Sequence, residues 1–397
     1  MRPARTVLVP GFRGAGTACG IKKTGKTDLA LVVSEHPCVS DVVFTRNRVF
    51  AAPVAWGKGL RSRSALRGVI VNSGNANACT GEEGLSAVRR TSDAVCAALG
   101  LPRNSLLVSS TGVIGVPLPA SMIAAALPRL CASLSALGIA GAGDAMLTTD
   151  AYPKRGVRRI SVRGRRVTLG GIAKGAGMIA PNMGTMLAYV FTDASVRPAD
   201  LRRAFREAVD RTFNRIVVDG DTSTNDTAAI FANGACGLPP LAGRELAAFS
   251  EALQSLLLDL ALMIVRDGEG ATRVVRVAVT GAASDRDALR AARAVATSPL
   301  VKTAVFGADP NWGRVIAAVG RAGIRIDPAR IELTFAGEKV LRRGMEIDHA
   351  AERRAAPKIR KEAYGIEVEL GLGKGSSHLY FSDLNHEYIR INAGYRT

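Results

Sequence analysis

The chain has 397 residues, with 53 Lys+Arg against 34 Asp+Glu for a formal net charge of +19; 47% of its residues are hydrophobic and 22% charged. Such a chain has room for two domains, or one large domain with two layers of sheet. No apolar run approaches the roughly 18 residues of a membrane span; the most apolar helix-like stretch, Ala252 to Val265, is interrupted by Gln254 and Asp259.

The opening "MRPARTVLVPGFRG" lacks the extended apolar core of a secretory signal, so a cytoplasmic protein is expected. Six scattered cysteines (Cys19, Cys38, Cys79, Cys96, Cys131, Cys236) offer neither a disulfide framework nor zinc-ligand spacing, and no metal is expected. The positive charge is uneven. Residues 1–184 hold 24 basic and 8 acidic side chains, and residues 185–397 hold 29 and 26. Much of the excess lies in "PKRGVRRISVRGRRV", Pro153 to Val167, whose alternation predicts a hairpin with arginines on its wet face. Aromatics make up only 5% of the chain and none interleave with these arginines, which argues against a nucleic-acid platform.

In chain order, strands are predicted at Thr6–Val9, Leu29–Val33, Val42–Thr45, Gly68–Asn72 and Leu106–Ser109, with helices at Leu85–Leu99 and Ala120–Leu137. "PGFRGAGTAC" reads as too rich in glycine for a buried strand. After the arginine hairpin, Met186 to Phe191 reads as a buried strand. Helices follow at Pro198–Phe213, Arg244–Arg266 and Asp285–Ala296, then strands near Val274–Val279, Ile331–Phe335, Ile366–Leu370 and Leu379–Ser382. "GADPNWGR" reads as a tight turn with Trp312 at a packing corner. Strands and helices come in blocks, not strict βαβ units, which predicts a layered fold and not a doubly wound parallel sheet.

"GIKKTGKT", Gly20 to Thr27, matches the phosphate-loop pattern letter for letter. The chemistry needs a strand entering the loop and a helix N-terminus after it. Neither is predicted, and the match is read as accidental.

The segment "KGAGMIAPNMGTMLAYVFTDA", Lys174 to Ala194, places a hydroxyl at the mouth of a buried strand, directly after a glycine. A threonine nucleophile needs a base within reach. Its own α-amine, with a pKa of roughly 8, would serve once the Gly184–Thr185 bond is cut. Gly184 has no Cβ to obstruct attack on its carbonyl. "VSSTGVIG", Val108 to Gly115, offers Thr111 and Gly112 as a hydroxyl beside an unhindered backbone N–H, the donors an acyl-transfer site needs. "VVDGDTSTNDT", Val217 to Thr227, concentrates polar residues that could orient a site or build a plain loop, and "NSGNANACTGEEG", Asn72 to Gly84, reads as structural.

Taken together, "GIAKGAGMIAPNMGTMLAYVFTDA", "SSTGVIG", "MLTTDAYPK", "VVDGDTSTNDT", "VRDGEGATR", "FGADPNWGR" and the closing "DLNHEYIRINAGYRT" resemble the ornithine acetyltransferase family, the glutamate N-acetyltransferases of arginine biosynthesis. The resemblance implies a layered α/β sandwich similar to N-terminal-nucleophile hydrolases but with its own connectivity. It also implies self-cleavage between Gly184 and Thr185 into an α-chain, 1–184, and a β-chain, 185–397. Thr185 would carry the acetyl group from N-acetylornithine to glutamate, releasing ornithine and N-acetylglutamate, with Thr111 and Gly112 as the oxyanion hole. Thr148, Lys174, Thr185, Glu269, Asn392 and Thr397 would contact substrate. Where the family usually has alanine before the nucleophile, this chain has Gly184.

A heterotetramer of two α and two β chains is implied as well. No cofactor is expected beyond acetyl-CoA as an optional donor, and no nucleic-acid or membrane partner. The competing readings are a related self-cleaving aminopeptidase or amidohydrolase with water as acceptor, a phosphate-loop nucleotide binder, and a basic nucleic-acid-binding protein.

Overall fold

The computed structural model describes residues 4, 6–60, 64–180 and 186–394. It forms two compact units, Met1–Asn214 with Asp221–Ile264, and Arg215–Gly220 with Val265–Tyr395. The strands of the first are β1 (Phe12–Thr17), β2 (Leu29–Ser34), β3 (Val39–Phe44), β4 (Gly68–Asn75), β5 (Leu107–Val113), β6 (Lys154–Val162), β7 (Arg165–Lys174) and β8 (Leu187–Thr192). β9 (Ile216–Val217) belongs to the second unit, and β10 (Thr227–Ala232) returns to the first.

Two sheets result, ordered β1-β2-β4-β5 and β3-β10-β8-β7-β6. Both mix parallel and antiparallel pairs: β4 with β5 and β8 with β10 are parallel, the rest antiparallel. One apolar layer joins the sheets, drawing Val32, Val69 and Val71 from the first and Tyr189, Phe191 and Phe231 from the second. The ring centroids of Phe191 lie 5.3 Å from Phe12 and 5.6 Å from Phe231. α1 (Ala52–Gly59) precedes β4. α2 (Gly81–Ala98) and α3 (Ala120–Ala132) cover the far face of the first sheet through Val88, Val95, Ile123 and Leu127. α4 (Ile139–Ala145) adds Ile139, Ala142 and Ala145 to the apolar layer. α5 (Pro198–Arg211) packs on β3, and α6 (Gly243–Arg266) lays Leu256 and Leu260 on Gly156 and Gly171. The layers are therefore helix, sheet, sheet, helix. With both faces covered, β8 and β10 are buried at every position, which explains their unbroken apolar runs.

By length and composition α6 alone, among the described residues, could cross a membrane. Its Leu253, Leu256, Leu257, Leu260 and Ile264 are buried in the protein. The arginine hairpin forms as expected, turning at Arg163 and Gly164, both at positive φ as a two-residue hairpin turn requires. Arg159, Arg163, Arg165 and Arg166 are exposed, whereas Arg155 is buried beside Asp144.

Three expectations are corrected. The glycine-rich stretch holds a strand after all, since β1 pairs with β2 from Phe12↔Ser34 to Thr17↔Leu29. Its glycines admit a helix backbone: a Cβ on Gly14 would stand 2.6 Å from Ile139 N, and one on Gly16 2.4 Å from Gly141 O. Thr6–Val9 is no strand; Val7 and Val9 pack over Gly170 without ladder pairing. The helix expected at Ala120–Leu137 stops at Ala132, because Ser135 exchanges two backbone hydrogen bonds with Gly14, at 2.9 and 3.1 Å.

The second unit is a seven-stranded sheet with β11 (Val274–Ala282), β12 (Glu332–Phe335), β13 (Glu338–Arg342), β14 (Met345–Glu346), β15 (Ala363–Glu369) and β16 (Gly375–Ser382), ordered β14-β13-β12-β15-β11-β16-β9. Its core is closed by α7 (Asp285–Ala296), α8 (Pro299–Phe306), α9 (Trp312–Gly320) and α10 (His349–Ala355), and α11 (His386–Gly394) follows β16. Ser284 caps α7, accepting from Asp287 N at 3.1 Å. The "GADPNWGR" turn leads straight into α9, where Asn311 caps by accepting from Arg314 N at 3.1 Å and Trp312 packs half-buried on the core.

Candidate functional site

β5 continues past the predicted end at Ser109 and carries Thr111 and Gly112 alongside Gly74 and Asn75 of β4. The approach admits only glycine: Gly112 has φ +134°, and a Cβ there would stand 2.3 Å from Gly74 C. At the end of β7, buried Lys174 donates from Nζ to Thr111 Oγ1 at 3.2 Å. That hydroxyl accepts from Lys174, so its own proton is free to point at another oxygen.

Asp150 organises this corner. Its Oδ1 accepts from Lys154 Nζ and Gly175 N, both at 2.6 Å, and its Oδ2 from Thr148 N at 3.0 Å and Thr148 Oγ1 at 3.4 Å. Lys174 Nζ lies 4.0 Å from Oδ2. Burial opposes the carboxylate charge, but the ammonium groups of Lys174 and Lys154 outweigh it and hold the pKa well below the usual range. Thr148, Thr111 and Lys174 are thus brought together by an acid that the sequence reading did not single out. Its signal was there, in "TTD" followed by Lys154.

A second buried acid stands at the start of β8. Asp226 Oδ1 accepts from Met186 N at 2.9 Å, while Thr227 N donates to Met186 O at 3.0 Å. Here burial dominates and pushes the pKa well above the ordinary carboxyl value, against the Met186 N–H and the Lys174 charge. The Thr45 and Ser223 hydroxyls lie close, but Thr45 Oγ1 donates to Ser223 O at 2.9 Å. Asp226 Oδ2 has no hydrogen-bond partner among the described residues. The neighbouring Asn225 donates from Nδ2 to Ala76 O at 2.7 Å and Ser110 O at 2.8 Å, tying this loop to the strand of Thr111. Asn225 and Asp226, at the end of the polar stretch 217–227, thus fasten it to β5 and to the start of β8.

The Asn72–Gly84 stretch runs from the end of β4 into α2, with Ser110 Oγ donating to Asn72 Oδ1 at 2.6 Å and Asn72 Nδ2 to Asn75 O at 2.8 Å. The phosphate-loop look-alike joins two antiparallel strands with no helix behind it. Gly184 and Thr185 lie outside the described residues, as does Thr397. In the second unit Asn392 Nδ2 donates to Glu269 Oε2 at 2.8 Å, so these two candidates meet. α11 is seated by Asn385, whose Nδ2 donates to Gly270 O at 2.7 Å.

The ArgJ family model matches residues 13–397. The arginine biosynthesis bifunctional protein ArgJ of Geobacter sulfurreducens is 49% identical over 391 residues, covering 98% of this chain and 100% of the relative. The protein of the same description from Thermus thermophilus is 46% identical, covering 98% and 99%. Among solved structures, arginine biosynthesis bifunctional protein argJ from Bacillus halodurans is 40% identical with a TM-score of 0.51, covering 53% of this chain and 100% of that one. The chain belongs to the ArgJ family of arginine-biosynthesis enzymes.

Proposed function

We propose that the chain is a glutamate N-acetyltransferase that matures by cutting itself between Gly184 and Thr185. Thr185 Oγ attacks the Gly184 carbonyl, the C–N bond breaks as the ester forms, and water hydrolyses the ester. The products are an α-chain, 1–184, and a β-chain, 185–397, whose new α-amine is the base for the hydroxyl beside it. Thr185 Oγ then attacks the acetyl carbonyl of N-acetylornithine. The acetyl ester forms, and ornithine leaves with the proton. The glutamate amine attacks the ester, giving N-acetylglutamate and restoring the hydroxyl. Thr111 and Gly112 stabilise the oxyanion in both halves. Thr148, Lys174, Glu269, Asn392 and Thr397 bind substrate with Thr185.

The observation that carries this reading is the Lys174–Thr111 hydrogen bond, which orients a hydroxyl donor beside Gly112, where a Cβ would meet the Gly74 backbone at 2.3 Å. Two further points support it. The solved Bacillus halodurans chain is matched along its full length by 53% of this chain, close to the 213/397 that a β-chain would occupy. The relatives' description as bifunctional fits acetyl-CoA as a second acetyl donor, with no bound cofactor. A cytoplasmic heterotetramer of two α and two β chains completes the proposal.

Such a cut would not release the halves. The second sheet runs β3-β10-β8-β7-β6, so strands from 1–184 flank strands from 185–397 on both sides. The test is the intact mass of fresh protein under denaturing conditions. Scaling 41.6 kDa by 184/397 and 213/397 gives about 19 and 22 kDa, the larger beginning at Thr185. A single 41.6 kDa species lacking acetyl transfer would refute the proposal.

A further inference from the structure

The loop Gly20–Thr27 has lost its phosphate-loop reading, yet its Lys22 is placed with care. Buried Asp28 accepts Cys19 N at 2.5 Å and Lys22 N at 2.8 Å, which curls the loop and turns the Lys22 side chain inward. Its stem rests on Gly74, where a Cβ would stand 3.1 Å from Lys22 Cγ, and Gly74 pairs with Gly112. Its head donates to Leu147 O at 2.7 Å and Thr27 O at 2.9 Å. Lys22 therefore stands between the glycine alongside the candidate oxyanion strand and the residue before Thr148. It is half-buried, and its charge interacts first with that of Asp28 and then with those of Lys174 and Asp150.

Among the described residues no carboxylate lies within ion-pair reach of Lys22 Nζ. Two of its three donors go to neutral carbonyls, which leaves one for an incoming group. Around Lys22 the carboxylates of Asp28 and Asp150 are set against the ammonium groups of Lys174 and Lys26. A half-buried ammonium in that setting is matched by an anionic ligand. On the acetyl-transfer reading, donor and acceptor share an α-carboxylate, which falls to Lys174 beside Thr111. The acceptor alone brings a second carboxylate.

We infer that Lys22 binds the side-chain carboxylate of the acetyl acceptor, and so sets the preference for a dicarboxylic amino acid. This rests on the acetyl-transfer reading. A site built to pair a charged group discriminates against an analogue that lacks it, because its own ammonium is then left without a partner.

The test separates the two half-reactions. Enzyme is loaded with N-acetylornithine, the acetyl-enzyme is measured by mass, and it is then discharged with glutamate or with glutamine. Wild type should prefer glutamate. Lys22→Met keeps the stem on Gly74 but removes the charge. It should raise the glutamate concentration for half-maximal discharge about tenfold to a hundredfold, the scale of one charge-assisted hydrogen bond, selectively over glutamine and over loading. Lys22→Arg should keep the glutamate preference. A Lys22→Met enzyme that discriminates as wild type does would overturn the inference. So would one in which loading and discharge weaken equally, because that marks a distorted Leu147–Thr148 segment. A wild type that never acquires an acetyl group would fail at the earlier step, and would refute the acetyl-transfer reading along with the inference.

Discussion

Asp150→Asn asks how much of the first unit's site corner is held by charge. The side chains of Asp150 and Lys154 have no solvent exposure and Lys174 has 7%, so water does little to screen them. Asparagine keeps the volume and one acceptor oxygen but removes the carboxylate charge that Lys154 and Lys174 meet there. Removing one partner of a buried pair costs about 3–5 kcal/mol. The assay is denaturant unfolding of wild type and variant across pH. The Asp150 pKa lies below its unfolded value of about 3.9, so its stabilisation is complete above that pH and is lost as pH falls through the folded pKa. The gap between the two proteins should be full at pH 7 and close in acid. Adding Lys154→Met should recover part of the loss, since an apolar replacement removes a buried charge that Asp150 no longer balances. A gap below about 1 kcal/mol at pH 7, the scale of an exposed pair, would refute the reasoning. A gap that widens in acid would do the same.

Asp226 should behave with the opposite sign. Its pKa is raised, so the folded state binds the proton more tightly and stability falls as pH rises from the unfolded value of about 3.9 toward the folded one. Asp226→Asn, which keeps an acceptor for Met186 N–H, should be more stable than wild type at neutral pH in the same titration; equal pH slopes would contradict this. Gly112→Ala should cost at least about 2–3 kcal/mol and abolish acetyl transfer, because the new Cβ meets backbone at 2.3 Å. Unchanged unfolding would mean that β4 and β5 can part. Thr111→Ala should lower acetyl transfer about a hundredfold or more with thermal stability retained, as loss of one oxyanion donor does; wild-type kcat would remove Thr111 from that role.

Local chemistry made much of the architecture legible. α7 spans Asp285–Ala296 as expected, because a serine cap precedes an alanine-rich face. The arginine hairpin and β8 follow equally from pattern. The failures share one physical cause, contact with distant chain. The glycines that argued against β1 exist to admit the backbone of α4. The helix after Ala120 breaks where Ser135 pairs with Gly14. Among the candidate residues, Thr111 and Lys174 meet in the first unit, 63 positions apart, and Glu269 and Asn392 meet in the second, 123 apart. Residue type pointed to both pairs through the family resemblance. Asp150 and Asp226 were passed over because an acid among hydroxyls looks like any polar turn. Their importance lies in burial, which only the assembled sheets create.

These two acids also define what the connection between β7 and β8 can do. At its entry Gly175 N donates to Asp150, a carboxyl held ionised by two lysines; at its exit Met186 N donates to Asp226, a carboxyl that burial favours in its neutral form. Neighbouring carboxyls driven in opposite directions mark a place where charge is assigned, not merely tolerated. The ionised acid fixes the lysine that orients Thr111. Asp226, biased toward its neutral form by burial, holds Met186, the residue before β8, and in that form adds no second negative charge beside Lys174. If both anchors act this way, Asp150→Asn and Asp226→Ala should each slow the proposed cut between Gly184 and Thr185, whereas Asp226→Asn should not. Equal slowing by both Asp226 variants would mean that its charge is needed, and that the neutral form is not the working one.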